Sequence, residues 1–361
     1  MLDTKTGSPT FGDGMTRSAH TALIGGLLLA VSACGFLDRI GLESRSRRVQ
    51  RLLGSLAADS MAGRAMGSLG SLMAARLITE EFDAAGVAPA WTEGYVQEVS
   101  GVRVTLPNGG SRVVTEELAE SFPDSVKEFL SDRNLVGIVR GSDPMVADEV
   151  IVVGAHFDHV GVGAAVDGDS IYNGADDDAS GVVAVLEAAR DLASGTAPRR
   201  TVVFALFTGE EVGGLGSRWY LDHPAVPLDQ TVAQLQVEMI GRPDSLAGGP
   251  GKLWATGYER STMGVILSTL GVPVVADPYP DQNFFFRSDN VRFAYEGIPA
   301  HTLSSYNLHT DYHSPSDDVG RVDFDHLVAA VETVIMAVRA LADAPDAPRW
   351  VEGGRPQRSG R

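Results

Sequence analysis

The sequence predicts an α/β fold, three layers deep (α/β/α) around a mixed, mainly parallel central sheet. Two observations predict it. From residue 135 onward, short apolar runs alternate with longer segments of helical periodicity, the pattern of a parallel sheet covered by helices on both faces. The run Thr201–Phe207, Thr-Val-Val-Phe-Ala-Leu-Phe, has almost no polar interruption, which suits a strand buried on both faces.

Taken in order, residues 49–57 and 71–86 read as helices. In the second, Leu72, Ala75, Leu77, Ile78 and Phe82 recur at roughly helical spacing. A Gly-rich loop, 59–68, separates the two. Residues 102–106 and 111–114 flank Pro107-Asn108-Gly109-Gly110 as a hairpin, and a helix is expected near 115–131. The polar stretch 98–134 is therefore expected to be an excursion from the main domain. Strands follow at 135–139, 150–154, 201–207, 231–239, 253–256 and 298–303, and helices at 181–192, 261–270 and 324–342. These make one domain over 49–343. The tail 344–361, rich in Pro, Gly and Arg, is expected to be disordered.

Composition narrows the function classes. The chain has 361 residues, 44% hydrophobic and 21% charged, an ordinary globular balance. Lys+Arg number 29 against 47 Asp+Glu, a net charge of −18, which argues against nucleic acid as a partner. Cys34 is the single cysteine, so an intrachain disulfide and a Cys-based zinc site are both excluded. Any metal must be held by His and carboxylates.

Cys34 closes a distinctive segment. Residues 22–31 are an apolar run preceded by Arg17 and His20. A spanning helix needs about 20 apolar residues, so this run is too short and has the layout of a secretory signal. It ends in Val31-Ser32-Ala33-Cys34-Gly35, which resembles the bacterial lipoprotein box. The expectation is a signal over 1–34, a lipid on Cys34, a tether over 35–48, and an exported protein anchored in the bacterial cell envelope.

Five motifs then place His and carboxylates after apolar segments or in turns. His156 follows the run 150–154, and Asp158, two residues on, is placed to accept the ring N–H and fix its tautomer. Gly174-Ala175-Asp176-Asp177-Asp178-Ala179-Ser180-Gly181 sets three adjacent carboxylates before an apolar helix, where a cation would relieve their repulsion. Glu210-Glu211 follows the buried run and a Thr-Gly turn. Adjacent side chains in a turn diverge, so one is free to bind metal while the other moves a proton. Glu238 sits inside Leu235-Gln236-Val237-Glu238-Met239-Ile240, where an unpaired carboxylate is costly. His313 lies in a polar turn, Asp311-Tyr312-His313-Ser314-Pro315. Taken singly, each has a plain structural reading; their combination points to a two-zinc site.

Together these residues resemble the co-catalytic di-zinc aminopeptidase family (metallopeptidase family twenty-eight) and its zinc exopeptidase fold, over about residues 50 to 342. The resemblance implies two zinc ions per chain. It implies that His156 and Glu238 hold the first, Glu211 and His313 the second, and Asp177 bridges them, with a cis peptide to Asp178. It implies Glu210 as general base, Asp158 as the residue orienting a ligand, and peptides as substrates. The chain departs from many members in having Glu238 in place of Asp, and Ser288-Asp289-Asn290 in place of Ser-Asp-His.

The expected activity is that of an aminopeptidase. A carboxypeptidase or dipeptidase on the same site is the alternative, with Arg287 and Arg242 as candidate partners for a substrate carboxylate. A non-catalytic binding protein is a further alternative, against which the complete inferred ligand set argues. Tyr306 or His309 is a candidate oxyanion donor, and His301 and His309 are candidates for contact with substrate. His159, His223 and His326 are expected to be surface or packing residues. Phe284, Phe285 and Phe286 are expected to pack, or to wall a pocket for an apolar side chain.

Overall fold

The computed structural model describes residues 43–358. The expected signal, with Cys34, and residues 35–42 of the expected tether lie outside the described residues, as do 359–361. Twelve strands run in chain order: β1 Ala88–Pro89, β2 Val96–Thr105, β3 Ser111–Val114, β4 Lys127–Val139, β5 Val150–His156, β6 Gly161–Val166, β7 Asp169–Tyr172, β8 Thr201–Phe207, β9 Thr231–Val237, β10 Leu253–Ala255, β11 Val274–Ala276 and β12 Ala300–Ser304. The α-helices are α1 Arg45–Leu56, α2 Leu69–Ala85, α3 Glu116–Ala119, α4 Gly181–Ser194, α5 Leu215–Asp222, α6 Met263–Thr269, α7 Asn290–Glu296 and α8 Phe324–Asp343.

The main sheet has the order β11-β10-β12-β9-β5-β8-β4-β2-β3, with β1 paired to β4. Its centre, β12-β9-β5-β8, is parallel throughout, and the β4-β2-β3 flank is antiparallel. Alternation along β5 builds the layers. Ile151, Val153 and Ala155 join α1, α2, α4 and α8 in one core, while Val150 and Val152 pack with Tyr220 of α5 and Phe293 of α7 in the other. Every residue of β5 and β8 is buried, as expected of central strands in such a sheet. The mixed, largely parallel sheet with helices on both sides is the predicted architecture.

Four expectations fail. Residues 45–48, expected to belong to the tether, are the first turn of α1. The helix expected near 115–131 shrinks to α3. Residues 127–134 are instead the first half of β4, paired antiparallel to β2 from Val96↔Leu135 to Val104↔Lys127. Pairing across the sheet overrides the polar local sequence, and 98–134 is thus no excursion but the antiparallel flank of the main sheet. The tail expected to be disordered is tied down well past 344. Buried Arg200 donates to the carbonyls of Ala344 and Pro345, the Trp350 indole donates to Gly297 O at 2.8 Å, and Trp350 bridges to Ser261. Pro, Gly and Arg composition indicated disorder, but these contacts, with backbone bonds from Val351 to Arg260 and from Thr262 to Arg349, anchor the segment.

The 59–68 loop has a structural task that its composition did not disclose. Arg64 is fully buried. Its Nε donates to Phe157 O at 2.8 Å, its Nη1 to Leu56 O and Asn173 O at 2.6 Å, and its Nη2 to Gly174 O at 2.9 Å. It thereby clamps the segment after β5 to the turn before the Asp triplet. The backbone reaches this position through Ala62, Gly63 and Arg64, all at positive φ. A Cβ on Gly63 would stand 2.4 Å from Tyr172 O, so only glycine fits there. Arg64→Met leaves these carbonyls unsatisfied and removes the cation from a field of buried aspartates. It should cost roughly 3–5 kcal/mol, read as a lower urea midpoint at unchanged slope.

Candidate metal centre

The sheet delivers the site residues to the C-terminal ends of its parallel strands. His156 is the last residue of β5, Glu210 and Glu211 follow β8, and Glu238 follows β9. This is where open α/β sheets place their ligands. His313 comes from the loop between β12 and α8.

The Asp triplet divides its labour. Asp178 is consumed by backbone: its carboxylate accepts from His156 N at 3.2 Å and from Gly181 N and Met239 N at 3.1 Å each. It therefore ties the ends of β5 and β9 to the start of α4. Asp176 accepts from Gly241 N at 2.6 Å and lies 3.0 Å from His309 Nε2. Only Asp177 turns its carboxylate toward the other candidate ligands. The backbone N–H groups of Asp176 and Asp177 both donate to the Asp317 carboxylate, which also pairs with Arg242 at 3.2 Å. The Asp177–Asp178 peptide is cis.

Two clusters share Asp177. One comprises His156, Asp177 and Glu238; the other His159, Asp177, Glu211 and His313. Within each, potential donor atoms lie within 4.8 Å of one another. His156 Nε2 is 3.2 Å from Asp177 Oδ1, and His313 Nε2 is 3.2 Å from Asp177 Oδ2 and 2.9 Å from Glu211 Oε2. All five predicted ligands thus lie in these two clusters.

His159 departs from expectation. It was expected to be a surface or packing residue, but its Nδ1 lies 2.7 Å from Glu211 Oε1 and 3.9 Å from Asp177 Oδ2, and its ring meets that of His313 edge-on. The sequence signal was present in His156-x-Asp158-His159. A two-residue strand alternation places the first two positions, but nothing local shows that the chain leaves β5 there and turns a third side chain inward.

Asp158 also differs in detail. His156 Nδ1 lies 3.1 Å from the Asp158 backbone carbonyl and 3.8 Å from its carboxylate, so the carbonyl is the hydrogen-bonding partner that sets the tautomer. The carboxylate instead accepts from Glu210 N at 3.1 Å and so fixes the turn that carries the Glu pair.

The other candidates sort clearly. His301 is buried between Ser261 Oγ and Thr256 O, and His326 accepts from Gly251 N, so both are structural. His223 stacks on Trp219. Asn290 donates to Phe285 O and accepts from Thr302, knitting a wall rather than reaching the clusters. Arg242 is occupied by Asp311 and Asp317. Tyr306 and His309 lie side by side, with the His309 ring engaged by Asp176.

The donor set fits zinc on three grounds. It consists of imidazole nitrogens and carboxylate oxygens only. Glu238 Oε2 and His156 Nε2 are buried without a hydrogen-bond partner among the described residues. The charge is also unbalanced. Burial, then the neighbouring carboxylates Glu238, Asp289 and Glu211, push Glu210 well above the usual carboxylate range. Burial likewise raises Glu238 and Asp158, each to about 7. Such a cluster calls for a cation.

These shifts predict how the metal-free chain responds to pH. Glu238 and Asp158 hold protons in the folded state that the unfolded chain has already released, so their contribution is lost as pH climbs toward about 7. Against burial, hydrogen bonds to Asp177 and Glu211 raise His313 to about 10, so its contribution is lost through that value. Asp177 and Glu211 are lowered and act in the opposite sense, but only in the acid range. In chelator, the melting temperature should therefore fall as pH rises from about 6 to about 9, more steeply than with zinc present. A flat or rising profile would contradict the assignment.

Comparison with known proteins agrees. The model of Peptidase family M28 matches residues 134–338. A probable leucine aminopeptidase 2 from Aspergillus fumigatus is 24% identical over 343 residues, covering 88% of this chain and 62% of the relative. The chain therefore spans about three fifths of that relative's length. Among solved structures, a zinc aminopeptidase from Bacillus subtilis superposes with a TM-score of 0.60 at 16% identity, covering 84% of this chain and 96% of that one. A glutaminyl cyclase from Porphyromonas gingivalis superposes with a TM-score of 0.56 at 18% identity, covering 82% and 96%. At such identities the likeness shows the fold alone, and the fold serves more than one reaction. The family match spans β5 to β12, the Asp triplet, the Glu pair and His313: the chain belongs to Peptidase family M28.

Proposed function

We propose that this chain is a zinc-dependent aminopeptidase that holds two ions. The observation that carries the reading is that two ligand clusters share Asp177, with Glu210 on the residue next to a ligand. His156, Asp177 and Glu238 would hold one ion, and Asp177, Glu211 and His313 the other, with His159 as an additional donor or as the residue that orients Glu211. Zinc held by these donors supplies Lewis acidity, lowering the pKa of water to about 7 and polarising a carbonyl.

The chain's own residues do the rest. Asp158 holds the Glu210 amide and so sets the direction of its side chain. Burial and like charge raise the proton affinity of the Glu210 carboxylate, as a general base working near neutrality requires. Glu210 takes a proton from the attacking water, the oxygen bonds to the scissile carbonyl carbon, the C–N bond breaks, and Glu210 returns the proton to the departing amine nitrogen. Carboxylates outside the ligand set, Glu210 and Asp289 among them, make the surroundings anionic, which favours a substrate's α-ammonium end. The occupation of Arg242 removes one of the two cations that a carboxypeptidase would use.

The test is a mixture of peptides with free or acetylated N-termini, read by mass spectrometry with and without chelator. Chelator-sensitive loss of single N-terminal residues from free peptides alone is expected. C-terminal trimming would replace this reading with the carboxypeptidase one. For His159, replacement by Ala should weaken zinc retention about 10–100-fold in a competition titration against a chromophoric chelator. Unchanged retention would return His159 to a packing role.

We also propose that the chain is exported and lipid-anchored at Cys34, on the strength of the apolar run and the box around that residue. Expression in a bacterium with a labelled fatty acid should label the wild type and leave Cys34→Ala unlabelled and released from the membrane fraction.

A further inference from the structure

Beside the metal centre opens a pocket with Glu238 among its lining residues. Trp254, Phe284, Tyr306 and Tyr312 wall it. From the sequence, Phe284 is expected to pack or to wall a pocket for an apolar side chain. The polar groups say otherwise. Trp254 is 1% exposed, yet its indole Nε1–H has no hydrogen-bond partner among the described residues. An indole nitrogen only donates, so it calls for an acceptor. Arg287 also lines the pocket, its guanidinium over the Phe284 ring at 5.1 Å and the Tyr312 ring at 5.9 Å. Among the described residues no carboxylate lies within ion-pair distance of it. Glu238, a candidate zinc ligand, is the one carboxylate among the lining residues. The pocket therefore presents an unpaired cation and a buried unpaired donor between aromatic walls, with no anion of its own to spare.

We infer that this pocket receives the side chain of the substrate's N-terminal residue and selects carboxylate-bearing side chains, glutamate above all, over aliphatic ones. This rests on the aminopeptidase reading. The aromatic walls cover the methylenes of glutamate, the Trp254 indole N–H donates to one carboxylate oxygen, and Arg287 pairs with the charge. A leucine side chain of similar length fills the same space but leaves the indole N–H unpaired and Arg287 without a partner. A site built to bond a polar group discriminates strongly against an analogue that lacks it.

The experiment is a panel of aminoacyl p-nitroanilides carrying Glu, Gln, Leu and Lys, with kcat/KM measured on the zinc-loaded wild type, Arg287→Ala and Trp254→Phe. The wild type should prefer Glu to Leu by about 10-fold or more, with Gln between and Lys last. Arg287→Ala, at an exposed position, should collapse the Glu-to-Leu ratio, and Trp254→Phe, which keeps an aromatic side chain but removes the N–H, should lower the ratios of both Glu and Gln to Leu. A wild type that prefers Leu, or variants that scale all substrates equally, overturns the selectivity while leaving the aminopeptidase intact. Chelator-sensitive release of C-terminal residues, with no p-nitroanilide cleaved, overturns the aminopeptidase reading itself and makes Arg287 a partner for the terminal carboxylate.

Discussion

Glu210→Gln should keep its zinc and lose about 10²- to 10⁴-fold in kcat, the range for removing a positioned general base. The substitution preserves size and hydrogen bonding but leaves nothing to accept the water's proton. Because the Asp158 carboxylate holds the Glu210 backbone N–H, which the Gln residue also has, the turn should keep its shape. KM should change little, since the group acts on the attacking water rather than on the bound substrate. A binding protein that merely uses the fold would retain its function in this variant. A Gln variant with wild-type kcat would remove Glu210 from the chemistry.

Asp177→Ala has the second large effect, on both metal positions at once. Asp177 is the only residue common to the two clusters, and its two oxygens face different histidines, His156 on one side and His313 on the other. Removing it takes a donor from each position and leaves buried imidazoles and carboxylates with no shared centre. Zinc content should fall to near zero after dialysis and activity should disappear. Glu238→Ala, by contrast, takes a donor from one cluster only and should leave about one ion bound. Equal losses in the two variants would argue against a shared ligand.

Much of this site was legible in the sequence because the metal fixes residue types and the strands fix spacing. His156, Glu211 and Glu238 each follow an apolar run, and all three runs proved to be adjacent parallel strands, so their ends had to converge. The triplet was legible as a group. Which member faces inward came from the family pattern, and the structure gives the reason: Asp176 and Asp178 are spent on backbone N–H groups. What remained hidden depends on long-range contact. His159 points inward only because the chain bends after β5, and that bend is held by Arg64 from a loop almost a hundred residues earlier. Likewise 127–134 is too polar to read as a strand until β2 lies beside it. The role of Trp350 as an anchor needed its neighbours Gly297 and Ser261.

The most direct test of the central claim is the zinc content of the purified chain by plasma mass spectrometry, taken together with that of Asp177→Ala. The shared-ligand account predicts two ions in the wild type, both lost in the variant. A single ion in the wild type, or a variant that keeps both, would contradict it.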